Sequence, residues 1–153
     1  LALAATGRER SLASGALTVA AASLMVLVAR FITVDALSAG LETTATTNAF
    51  VHAGLVFGYL FGTVFHVKSM IRERGNTGWV AASVGWHAAI TVVTGVGAVF
   101  GALSPAWPVL FALTAVRAWL LPALAARRTV RPLIIGLVEI VLTTAFALVA
   151  AFG

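Results

Sequence analysis

No cysteine occurs among the 153 residues, which excludes disulfides, thiolate zinc sites, iron–sulfur clusters and cysteine nucleophiles from within this chain. Charge is also scarce: Asp and Glu number 5 and charged residues make up only 10% of the chain. So little charge cannot cover an ordinary soluble surface, and so few carboxylates leave no pair placed to clamp magnesium. Internal repeats and low-complexity tails are missing as well, which argues against solenoids and disordered linkers.

What is present is apolar. Hydrophobic residues make up 61% of the sequence and the mean hydropathy is +1.05, the composition of an integral membrane protein. A bilayer crossing takes about 20 residues, so the length accommodates about five spans and no soluble domain. The expected fold is an all-α, polytopic helical bundle forming a single transmembrane domain, read as a piece of a longer membrane protein because the chain opens on Leu1. A cleaved signal peptide explains the first apolar run poorly, since further spans follow it.

The spans are expected at residues 11–29, 50–67, 79–99, from just after Pro105 to about 126, and from Pro132 nearly to the end. Pro132 suits a first helical turn, where a missing N–H costs nothing. Residues 31–50, polar around Asp35, Glu42 and Thr43 to Thr47, read as an exposed connection with room for a short interfacial helix. The net charge of +5 does not point to nucleic acid, because the basic residues occur in short clusters beside apolar runs and form no basic domain. Arg8 and Arg10, then Lys68, Arg72 and Arg74, then Arg127, Arg128 and Arg131 fall at alternate span ends. The positive-inside rule puts these ends and the amino terminus in the cytoplasm and Gly153 outside; Arg30 is the exception, and a helix-end arginine can snorkel.

Glu139 stands inside the apolar run 133–152, where a lone carboxylate needs a partner, a proton or a bound polar group. Along ideal helices Arg117 precedes residue 126 by about 14 Å and Glu139 follows Pro132 by about 11 Å, depths that suit an ion pair. By the same measure His66 and His87, on either side of the preceding basic loop, share the same half of the membrane. His66, His87, Arg117 and Glu139 thus form the expected intramembrane polar cluster, with Thr91, Thr94, Thr114, Thr143 and Thr144 available to extend it. Two cofactor readings stay open: one bis-histidine b-type haem on His66 and His87, and a quinone accepting hydrogen bonds from His66, His87 or Arg117 beside the small residues Gly54, Gly58 and Gly62, with Phe65 and Trp86 lining it. His52 lies near a span end, where ordinary polar packing suffices. Trp79 and Trp107 suit opposite interfaces, and Trp119 is expected between helices near Arg117. In the loop VKSMIRERGN, Lys68, Arg72, Arg74 and Asn76 have the donors for a lipid headgroup or phosphate, though topology and interfacial anchoring call for the same residues. No metal-binding residues and no catalytic residues stand out.

The blocks YLFGTVFHVKSMIRERGN, ASVGWHAA and VRPLIIGLVEIVLTT, in this order and joined by apolar spans, resemble the carboxyl-terminal half of the YwiC-like family of bacterial membrane proteins, over roughly residues 50–153. The matching positions are His66, Lys68, Arg72, Glu73, Arg74, Gly75, His87, Arg117, Pro132 and Glu139. The resemblance implies a bacterial cytoplasmic-membrane protein, distantly similar in pattern to membrane prenyltransferases. Those enzymes hold magnesium and diphosphate on aspartate-rich loops, whereas the corresponding loop here is basic. Three functions follow as expectations: an accessory or structural subunit of a larger membrane complex, a prenyltransferase-like lipid-modifying enzyme, or a haem- or quinone-binding electron-transfer subunit. Membrane lipids and other membrane subunits are the expected partners.

Overall fold

Each long apolar run folds as one helix, since a chain in lipid must satisfy its own backbone N–H and C=O groups. The computed structural model describes residues 12–32, 43–128 and 130–152, without the side chains of residues 30–32 and 43–46. Five helices occupy the described residues, with no strand among them: α1 (Leu12–Ile32), α2 (Thr43–Ile71), α3 (Thr77–Val99), α4 (Ala106–Arg127) and α5 (Pro132–Phe152). All five contain a stretch long and apolar enough to span a bilayer. The chain is an all-α, multi-pass membrane protein.

Boundaries expected from sequence hold at the starts of α4 and α5, and α2 departs most. It begins at Thr43 rather than near Phe50, so the threonine run continues the helix. Threonine is only a moderate helix former, but no glycine or proline interrupts residues 43–53 and tertiary context overrides a weak propensity. Asp35, Glu42 and the amino-terminal charges Arg8, Glu9 and Arg10 lie outside the described residues.

Residue contacts divide the chain into two compact units, 1–61 and 62–153, with the boundary inside α2. In the first, Val19 and Ser23 are buried on α1, and Ser23 Oγ donates to the Val19 carbonyl at 2.8 Å. On the α2 segment of this unit Ala49, Ala53, Leu55 and Tyr59 are buried, and the Phe57 and Phe61 rings stack at 5.5 Å.

The second unit carries the site. α2 ends at Ile71 and reverses through Gly75, whose φ of +86° lies in the left-handed region glycine enters without a Cβ clash. Asn76 then caps α3, its Oδ1 accepting from the N–H groups of Gly78 (3.1 Å) and Trp79 (3.4 Å). Lys68 Nζ sits 4.5 Å from the centre of the Trp79 ring, and Phe65 meets the same ring at 5.5 Å. Two side chains at the end of α2 therefore hold the first turn of α3 through Trp79.

Along α4 the buried residues Trp107, Leu110, Phe111, Thr114, Arg117, Ala118 and Leu121 recur at helical spacing. α5 answers with Ile135, Leu142 and Phe146. The two helices run antiparallel, so their buried groups stack in layers. Trp107 meets Phe146 edge-on at 5.5 Å in one layer, and Met70, Leu121 and Ile135 form another at the opposite end. Because that second layer gathers the end of α2, the end of α4 and the start of α5, the two basic turns lie at the same end of this unit. The outward faces are apolar: Val92, Val93, Leu113, Val116, Ile140 and Val141 are each more than half exposed. Polar groups inside and aliphatic groups outside suit a lipid solvent.

Trp107, expected at an interface, is only 2% exposed. Trp119, expected between helices near Arg117, is instead 62% exposed. Two residues advance a helix by about 200°, so Arg117 turning inward sends Trp119 to the opposite face.

Candidate functional site: a closed polar layer and an open cleft

Between the two apolar layers lies the polar one. The Arg117 guanidinium, 5% exposed, donates through Nη1 to Glu139 Oε1 and through Nη2 to His87 Nε2 at 2.9 Å. Thr63 Oγ1 donates to the second carboxylate oxygen, Glu139 Oε2, at 3.3 Å. His87 Nδ1 is 2.7 Å from the Ser83 carbonyl. A carbonyl can only accept and a guanidinium can only donate, so Nδ1 carries the proton and Nε2 offers its lone pair. These partners define the imidazole as the neutral Nδ1–H tautomer. Four helices thus contribute to one hydrogen-bonded chain, Ser83–His87–Arg117–Glu139–Thr63.

Close approach assembles it. A Cβ on Gly62 would lie 2.9 Å from His87 Nε2 and 3.2 Å from Trp86 Cδ1, so only glycine lets α2 pass this close to the ring. The small-residue spacing expected to leave room for an isoprenoid chain is, at Gly62, filled by His87. Sequence depth alone placed His66 opposite His87; Gly62, one turn earlier, is what meets it.

His66 is fully buried, and neither ring nitrogen has a hydrogen-bond partner among the described residues. Ser83 Oγ, also fully buried, shares that condition. In an antiparallel hairpin where Gly62 faces His87, one turn toward the loop on each helix gives His66 and Ser83, so these two groups lie at similar depth. His87 does not fit a bis-histidine haem as it stands, because iron would have to take Nε2 from Arg117.

Most of the threonines expected to extend the cluster satisfy their own helices instead. Thr91 donates to the His87 carbonyl, Thr94 to Ile90, Thr114 to Phe111 and Thr144 to Ile140, at 2.7–2.9 Å. Thr63 is the participant that sequence reasoning missed; its signal was a position three residues before His66, on the same helical face. His52 Nδ1 lies 2.7 Å from the Asn48 carbonyl, the local polar packing expected.

The basic-loop residues divide by role. Lys68 covers Trp79, Asn76 spends its carbonyl oxygen on the cap, and Arg72 is exposed beyond the end of α2. Arg74, also exposed, borders a cleft of about 780 Å³ between α3 and α4. Its walls are small or apolar, among them Val80, Val84 and Gly85 on α3 and Trp119, Pro122 and Ala123 on α4. Among the described residues Arg74 is its only charged lining residue, and no carboxylate or imidazole borders it. A Cβ on Gly85 would meet nothing within 4 Å, so the α3 wall is open at that position.

Comparison with protein-family models, with curated proteins and with solved structures finds no match to this chain.

Proposed function

We propose that this protein is an accessory or structural subunit of a larger membrane assembly, and that it belongs to the YwiC-like membrane proteins of the bacterial cytoplasmic membrane. What supports the functional reading is the linkage of the polar layer: Arg117, Glu139, His87 and Thr63 are hydrogen-bonded to one another across four helices. A catalytic or coupling site keeps such groups aimed at space a substrate can enter. Here the accessible cleft lacks acids and imidazoles, and the layer holding them pins helices together. The lipid-modifying reading has less support, since no carboxylate borders the cleft to hold a metal. The kinship rests on the sequence blocks.

The proposed orientation has the amino terminus and both basic turns in the cytoplasm and the carboxyl terminus outside. The common end of the two basic turns supports it.

The test is purification from native membranes in mild detergent, assayed together for protein partners, haem, quinone and turnover of isoprenoid phosphates. A partner at fixed stoichiometry is expected, without turnover. Recovery of the chain with bulk lipid alone would overturn the reading. Because the sequence has no cysteine, single cysteines at Arg74 and Arg128 can report sidedness, and labelling of both from the outer face would reverse the orientation.

A further inference from the structure

We infer that the cleft between α3 and α4 is a binding site for an anionic glycerophospholipid of the leaflet that meets the basic turns, with an acyl chain in the cleft and the phosphate at Arg74. This stands apart from the subunit reading and needs no partner protein.

The cleft's volume of about 780 Å³ falls within the common range for small-molecule sites, roughly 300–1,000 Å³, enough for part of an acyl chain, and its lining has their composition, mostly apolar with few polar groups. Val80, Val84, Trp119 and Pro122 present hydrocarbon, while Ser69, Arg74 and Thr77 supply the polar positions. Charge complementarity selects the headgroup. Arg74 is the single charged lining residue, and Ala126, the last lining residue on α4, is followed by the exposed Arg127 and Arg128. The cleft therefore opens between two sources of positive charge, and a guanidinium offers a fork of donors to a phosphodiester. A zwitterionic lipid satisfies the phosphate contact but brings its own cation into this basic mouth.

The site is also unblocked. Gly85 and Ala81 keep one wall low, and space beyond Gly85 is free. A chain entering there displaces no protein side chain.

Trp119, exposed on the cleft wall, gives a direct reading. The full chain is reconstituted in phosphatidylcholine vesicles carrying either brominated phosphatidylglycerol or brominated phosphatidylcholine, and quenching of the Trp119 contribution is obtained by difference from Trp119→Phe. Brominated phosphatidylglycerol is expected to be preferred by about five-fold, the effect of about one basic residue near an anionic lipid. Arg74→Gln should lower the preference to what Arg127 and Arg128 contribute, and Gly85→Leu should remove it by filling the cleft. Ala81→Leu fills the same space from the same helix and decides the matter if Gly85→Leu fails to fold. Equal quenching by the two lipids in the wild type, or an undiminished preference in a folded cleft-filled variant, would overturn the assignment. So would displacement of phosphatidylglycerol by an equimolar isoprenyl phosphate, which would make the cleft a polyprenol site.

Discussion

The polar layer and the cleft lie in the same unit and are built from neighbouring turns of α3 and α4, yet they handle polarity in opposite ways. In the layer, long polar side chains meet across the helices, and Gly62 lets the His87 ring approach α2. In the cleft the walls are small or apolar, space remains, and among the described lining residues Arg74 alone carries charge. Charge inside a membrane is stable when its partner is covalently fixed in the same chain. Where no partner is built in, the helices leave space and keep charge at the edge.

The sharpest way to break the comparison is to unpair the layer. Arg117→Leu leaves the Glu139 carboxylate buried without its cation, and a loss of about 3–5 kcal/mol is expected from denaturation in detergent, with much of it recovered in Arg117→Leu/Glu139→Leu. If the double variant were no more stable than the single one, the pairing would not be what holds these helices. Next is Gly62→Ala, which drives a methyl into an imidazole tethered at both nitrogens. A destabilisation of about 1–3 kcal/mol is expected, and a rise in Tm would show that the ring can yield. His66→Leu replaces a buried imidazole that lacks partners by an apolar side chain of similar size. It should leave Tm unchanged or gain up to about 1–3 kcal/mol, the cost of an unsatisfied buried group; a large loss would mean that His66 holds something. The smallest effect is Gly85→Ala on the cleft wall, where open space and better helix propensity predict a gain of up to about 1 kcal/mol. Opposite signs for the two glycine variants, measured side by side, are the most economical contrast between the two regions.

Much of this architecture was legible beforehand, for a specific reason. A rise of about 1.5 Å per residue converts position into depth, and a charge at depth must find another, so Arg117 and Glu139 could be paired from spacing alone. Depth carries no information about rotation of a helix about its own axis. That is why Trp119 points outward and why Trp107 is enclosed by Phe111 and Phe146; Gly62 meets His87 in place of His66 through an axial offset of one turn, finer than counting from the loop ends resolves. Hydroxyl groups were ambiguous for another reason: a threonine within a helix always has a carbonyl of its own within reach, and most of those here take it. The cleft left no motif, because it arises from what side chains lack.

The extended start of α2 has a consequence for where the protein can reside. Its 29 residues make a rod of about 43 Å, against a hydrocarbon thickness of about 30 Å, and the surplus has to tilt or stand among the headgroups. The surplus begins with threonines, which tolerate either setting, so a thicker membrane can cover the start of α2 without taking a charge into oil. Such a segment acts as slack, letting one sequence serve bilayers of different depth.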